Sequence, residues 1–123
     1  MLTDTDIEKA KHKVKKEGSN FEHNDCIRMA YEWLDAQKKT KGTTRTSHPL
    51  KHIIEKWAGR YVSMSDVEAA ALLHPDIIGK YPLFNISAKL TEPNARRLVG
   101  IQEAFSQNQH EKMDRNVYKF HEL

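Results

Sequence analysis

The segment from Glu22 to Lys39 constrains the fold more than any other part of the chain. At 100° per residue, Cys26, Ile27, Met29, Ala30, Tyr31, Trp33, Leu34 and Ala36 spread across about 220° of a helical wheel, well beyond a one-sided stripe. Asp25, Arg28, Glu32, Asp35 and Lys39 fill the remainder. A helix apolar over so much of its circumference must be covered from two sides. It is therefore either the central helix of the fold or one half of a homodimer contact.

Other helical segments stand around it. Residues 3–17 read as a helix capped by Thr3 or Thr5 and stopped by Gly18, with only Ile7, Ala10 and Val14 as an apolar stripe. So narrow a stripe predicts peripheral packing, and Lys9, Lys11, Lys13, Lys15 and Lys16 crowd the rest of the surface. Ser47-His48-Pro49 opens a further helix that buries Leu50, Ile53, Ile54 and Trp57 and ends at Gly59. Arg60–Ser63 is short and β-prone. Ser63-x-x-Asp66 and Ser65-x-x-Glu68 have capping spacing, which predicts a helix starting near Ser65 and ending at His74-Pro75.

With 123 residues and 38% hydrophobic content, the chain can fill one modest core. No apolar run reaches the ~20 residues that a membrane span needs. The first residues lack the basic and apolar regions of a secretion signal, and the single cysteine, Cys26, fits a reducing compartment. The expected location is the cytoplasm, with no membrane partner. The net charge of +3 is modest, but residues 1–60 hold 13 Lys/Arg against 9 Asp/Glu. Within that part, Lys38-Lys39-Thr40-Lys41-Gly42-Thr43-Thr44-Arg45 is a basic loop suited to phosphate contacts through Lys39, Lys41 and Arg45.

Beyond Pro82, Leu83, Ile86 and Leu90 fall on one helical face while Asn85, Ala88 and Lys89 point away from it. An apolar ridge inward with short polar and basic residues outward is what a helix in a major groove requires. With Ile86-Ser87-Ala88-Lys89-Leu90 at its centre, the order of elements over residues 47–123 resembles a winged helix-turn-helix DNA-binding domain. The resemblance implies a mostly α fold with a small β-wing, built onto extra N-terminal helices and the basic loop of residues 1–46. In it, Pro49–Ala58 is the first helix, Ser65–Leu73 the supporting helix and Leu83–Thr91 the recognition helix. Leu98–Ile101 and Val117–Phe120 would be strands flanking a wing at 107–115. By the same resemblance Asn85, Lys89 and Thr91 face DNA, while Lys112, Arg115 and Asn116 touch backbone or minor groove. Lys80, Arg96 and Arg97 flank the recognition helix and complete the DNA-binding set. Residues Pro93–Gln107 also read as a helix burying Leu98, Ile101 and Phe105; periodicity favours that helix, topology the strand.

The resemblance implies sequence-specific binding of double-stranded DNA, as a small transcriptional regulator or replication-origin-binding domain of a phage or mobile element. The alternative is a protein-interaction module, including a small phage-type inhibitor of a host protein, using the apolar arc of residues 26–36. Metal chemistry is a third class: His23 with Cys26, and His48-x-x-x-His52, have ligand-like spacing. Structural zinc sites usually present two cysteines, however, and Cys26 lies within the apolar arc. No Gly-rich phosphate loop or isolated carboxylate pair appears. The expectation is a protein that is not an enzyme and needs no metal or cofactor.

Overall fold

Side-chain caps set where the helices begin. The structure is a computed structural model describing residues 1–123. Thr3 accepts from the Asp6 amide and opens α1 (Asp4–Val14). His23 Nδ1 accepts from the Asp25 amide at 2.9 Å and opens α2 (Asn24–Ala36). Pro49 precedes α3 (Leu50–Ala58). The reciprocal Ser63 and Asp66 bonds, each 3.0 Å, form the capping box of α4 (Met64–Leu73). That start is two residues earlier than the second capping pattern suggests.

α2 is the central helix. Cys26, Ile27, Met29, Ala30, Trp33 and Leu34 are all fully buried. α4 crosses one side of α2, with α1 laid against α4, and α3 and the 90–98 segment cover much of the rest. The wide apolar arc is thus covered from within the chain. What α2 leaves accessible is mainly polar or aromatic-polar: Arg28, Tyr31, Glu32 and Asp35. Of the apolar arc, only Tyr31 and Ala36 stay partly accessible. α1 is also less peripheral than its stripe suggests, because Ile7 and Ala10 are buried in the common core. Burying a side chain the size of Ile7 contributes roughly 1.5–3 kcal/mol, enough to hold α1 down.

α2 stops at Ala36, three residues short of the expected end, because Gln37 is used elsewhere. Its Nε2 donates to the Trp33 and Thr91 carbonyls, and its Oε1 accepts from the Thr91 amide. This buried amide ties the end of α2 to a strand more than fifty positions away.

Four short strands complete the fold. β1 (Gly79–Lys80) and β2 (Leu83–Phe84) form an antiparallel hairpin around a cis Tyr81-Pro82 bond. β3 (Leu90–Glu92) pairs in parallel with β4 (Tyr118–His121). The chain from Lys38 to His48 runs along Phe84–Ala88 as a strap, through bonds such as Thr40 N to Asn85 O and Ser87 N to Lys38 O, each 2.8 Å, and His48 Nε2 beside Ala88 O at 2.9 Å.

The architecture is therefore mostly helical with small sheets, but the winged arrangement is not what the chain adopts after Leu73. Leu83–Thr91 is a strand, a strap-bound stretch and a second strand rather than a recognition helix. Leu83 is exposed while Phe84, Asn85 and Ile86 are buried in succession, a pattern without helical period. Arg60–Ser63 forms no strand. Pro93–Gln107 is neither the helix nor the strand considered for it: Ala95–Leu98 makes one 3₁₀ turn, and tight turns follow. No hairpin wing forms, because residues 107–115 carry a 3₁₀ turn at Gln109–Lys112 and the last strand pairs with β3.

Gly59 sets how closely these turns approach α3. Its φ of 70° ends the helix in the left-handed region. A Cβ there would lie 2.9 Å from the Phe105 Cα, so only glycine lets the 105–107 backbone bond to Ala58 and Gly59.

Candidate functional site

The residues expected to read DNA separate into two groups. One group is consumed by the fold. Asn85 is buried, accepting from the Ile78 amide at 2.8 Å and donating to the Asp76 and Thr40 carbonyls at 2.9 and 3.3 Å. Thr91 is buried beside Gln37. Lys39 folds back to donate to the Leu34 and Asp35 carbonyls, capping α2, and burial pulls its ammonium pKa down. Arg97 bonds Glu122 at 2.6 and 2.7 Å and reaches Asp35 and Glu32; its charge is fixed by these carboxylates, Glu122 first. Arg115 bonds Glu92.

The other group is exposed: Lys41, Arg45, Lys80, Lys89, Arg96, Lys112 and Asn116. They do not form one row. Lys80 stands on the β1–β2 hairpin, and Arg96 beside the tied Arg97. Lys80 lines the groove between α4 and that hairpin, and Asn116 lines a separate cleft.

That cleft, of about 390 Å³, lies between α3 and the 113–119 segment, and its charged lining is mainly basic. His48, His52 and Lys56 follow one another at four-residue spacing, so the start of α3 and its outer face present them in a line. Leu50, Ile53, Ile54 and Trp57 hold the opposite face of α3 in the core. Lys119 closes the cleft from β4, set there because Tyr118 is anchored inward. Asp114 is the one carboxylate in the lining.

The imidazoles have defined partners. His48 Nε2 lies 2.9 Å from the Ala88 carbonyl oxygen, which can only accept, so Nε2 carries the proton. His52 Nδ1 lies 3.4 Å from the buried Glu55 carboxylate. Lys89, the residue after Ala88, is exposed. On the neighbouring strand position, Phe120 carries the Lys38 ammonium 3.4 Å above its ring centroid, a cation–π contact.

Some cations of the surface are paired with carboxylates, and others, here as on α1, the β1–β2 hairpin and the Ala95–Leu98 turn, are not. Lys11, Lys16, Arg28, Lys51, Arg60, Arg97 and Arg115 each have a carboxylate partner. Lys56, Lys89 and Lys119, with Lys41 and Arg45 on the strap, have none.

Metal-like spacings do not converge. His23 is a helix cap, and Cys26 donates to the Tyr61 carbonyl from the core. Burial pushes the Cys26 thiol up to about 12. No three His, Cys, Asp or Glu side chains come together as a ligand set.

Sequence reasoning missed Lys56 and Lys119 and read His48 and His52 only as metal spacing. The signal was the His48-x-x-x-His52-x-x-x-Lys56 row opposite the apolar face of α3. Lys119 had no comparable signal, because its partners lie more than sixty positions away in sequence. Comparison with protein-family models, curated proteins and solved structures finds no significant match, so the geometry of this cleft and its surroundings carries the functional reading.

Proposed function

We propose that the protein binds nucleic acid through phosphate contacts on the face made by α3, β4 and the 38–48 strap. The observation that carries this reading is one cleft lined by two cations without a carboxylate partner, Lys56 and Lys119, beside two imidazoles, with Lys41, Arg45 and Lys89 exposed on the segments that lead to it. Such a face attracts a polyanion and releases its counterions on contact. Phe120 under Lys38 adds an aromatic surface at the rim, suited to a base or sugar.

Duplex DNA remains a ligand of this reading, but base readout has little to work with. Of the three residues expected to meet base edges, Asn85 and Thr91 are buried. Of the three, Lys89 remains, and it suits phosphate contact, as Asn116 of the expected backbone set suits phosphate or sugar. The expected binding is tolerant of sequence, which favours a backbone binder over a site-specific regulator or origin binder of a phage or mobile element.

The test is titration of labelled duplex and single strands of about 20 nucleotides between about 50 and 200 mM salt. Affinity should fall steeply with salt, and the Lys56→Glu/Lys119→Glu variant should lose about tenfold or more. Exchange of Lys9 and Lys13 on α1 should matter much less. Absence of binding at low salt, or equal binding by the cleft variant, overturns the proposal.

A second reading, a protein-docking module, has its own observation. Met64 and Leu72 are 43% and 49% exposed on one groove of about 460 Å³ between α4 and the β1–β2 hairpin, floored by Ala71, Ile77 and Phe84. Under this reading Leu72→Glu abolishes partner binding while the cleft variant leaves it intact.

A further inference from the structure

We propose that the α3–β4 cleft cleaves RNA, with His48 as general base and His52 as general acid in transfer of a phosphodiester to its own 2′-oxygen. This inference rests on the nucleic-acid reading of the same face and adds to it a reaction and a substrate class.

The two imidazoles are held differently, and the difference assigns their roles. The Ala88 carbonyl fixes the proton of His48 on Nε2 and leaves Nδ1 as a free acceptor, as a base requires. His52 has the Glu55 carboxylate at Nδ1, and Glu55 is itself buried and fixed by Lys51 and the Val62 amide. A carboxylate at one ring nitrogen fixes the ring's orientation and leaves the other nitrogen free for the leaving oxygen. Lys56 and Lys119 line the same cleft and have no carboxylate partner, so they are available to the non-bridging oxygens, where negative charge develops.

The step balances with the substrate alone. Neutral His48 takes the proton of the 2′-hydroxyl as the 2′-oxygen bonds to phosphorus. The bond from phosphorus to the 5′-oxygen breaks, and protonated His52 gives its proton to that oxygen. The products are a 2′,3′-cyclic phosphate and a free 5′-hydroxyl. DNA lacks the nucleophile, so it binds and survives.

The experiment incubates a labelled single-stranded RNA of about 20 nucleotides with the full chain in EDTA, beside the DNA of the same sequence, and resolves the ends formed. His48→Gln and His52→Gln are compared, because a glutamine amide at position 48 can still donate to the Ala88 carbonyl. The expected result is cyclic-phosphate ends from RNA, none from DNA, and a rate lowered about hundredfold or more in each variant with RNA affinity retained. A bell-shaped pH profile should lose one limb in each variant. RNA bound but uncut, or cut at the same rate by both variants, overturns the inference and leaves the binding proposal standing. RNA and DNA both unbound overturn the binding proposal itself, and cleavage falls with it.

Discussion

Trp33 Nε1 donates to the Tyr118 hydroxyl at 3.0 Å inside the core, joining α2 to β4 across 85 positions of sequence. The bond keeps β4 flat against the helical core, and Lys119, the next residue, is thereby presented to the cleft. Tyr118→Phe removes the acceptor and leaves a buried indole N–H unpaired, so stability should fall by about 1–3 kcal/mol, measured by urea unfolding. Burial pushes the Tyr118 hydroxyl up to about 12 from an ordinary 10.0, against the opposing bond from Trp33. The folded state therefore holds this proton where the unfolded chain has lost it. Stability should decline as pH rises from about 10 to about 12, and the Phe variant should lack that part of the decline.

Asn85 and Lys89 should behave oppositely. Asn85→Ala frees the Ile78 amide and the Asp76 and Thr40 carbonyls, costing about 1–3 kcal/mol with the midpoint of urea unfolding as readout. Lys89→Ala should shift stability by no more than about 0.5 kcal/mol while weakening nucleic-acid binding. Were both residues facing solvent on a recognition helix, neither change would unsettle the fold.

Acid should loosen the carboxylate contacts around Arg97 and Arg115. Burial opposes ionisation of Asp35 and Glu92, but bonds from His74 and Arg97 to Asp35, and from Arg115 and His121 to Glu92, outweigh it. The Arg97 bond is the main cause that lowers Glu122. All three carboxyls ionise more readily folded than unfolded, so their contribution is complete above the unfolded values of 3.8 and 4.5 and is lost as pH falls through the folded ones. Arg97→Met should lower stability near neutral pH and flatten its fall in acid, as read by urea midpoints across that range.

Cys26 should resist thiol reagents. Its side chain is fully buried, and desolvation first, then the neighbouring Asp66, raise the thiol to about 12. Labelling at mildly alkaline pH should proceed only through opening of the fold, and denaturant should accelerate it by orders of magnitude. Fast labelling in native buffer would contradict this packing.

Capping and periodicity made the four helices legible, because those signals are local. The buried set of α3, Leu50, Ile53, Ile54 and Trp57, follows its 3.6-residue spacing, and Gly59 ends it where a left-handed residue is needed. The 83–91 segment misled for a physical reason. Leu83, Ile86 and Leu90 have helical spacing, yet the intervening residues bond to the 38–48 strap, a partner that no window around them contains. Phe105 has a φ of 59°, which no helical or strand reading of 93–107 allows. The cleft was half legible: His52 and Lys56 on one helix face, with His48 just ahead of it, are visible in the sequence, whereas Lys119 joins them only through the parallel pairing of β3 and β4.

That parallel pairing also has a kinetic meaning. A parallel ladder cannot form by a local turn; here it closes the loop from Leu90 to Tyr118, while the Trp33–Tyr118 bond spans most of the chain. Contacts of such range form late in folding, after local helices have appeared. In a refolding time course, helical signal should therefore recover ahead of the capacity to hold a polyanion, which should arrive together with the buried-tryptophan fluorescence.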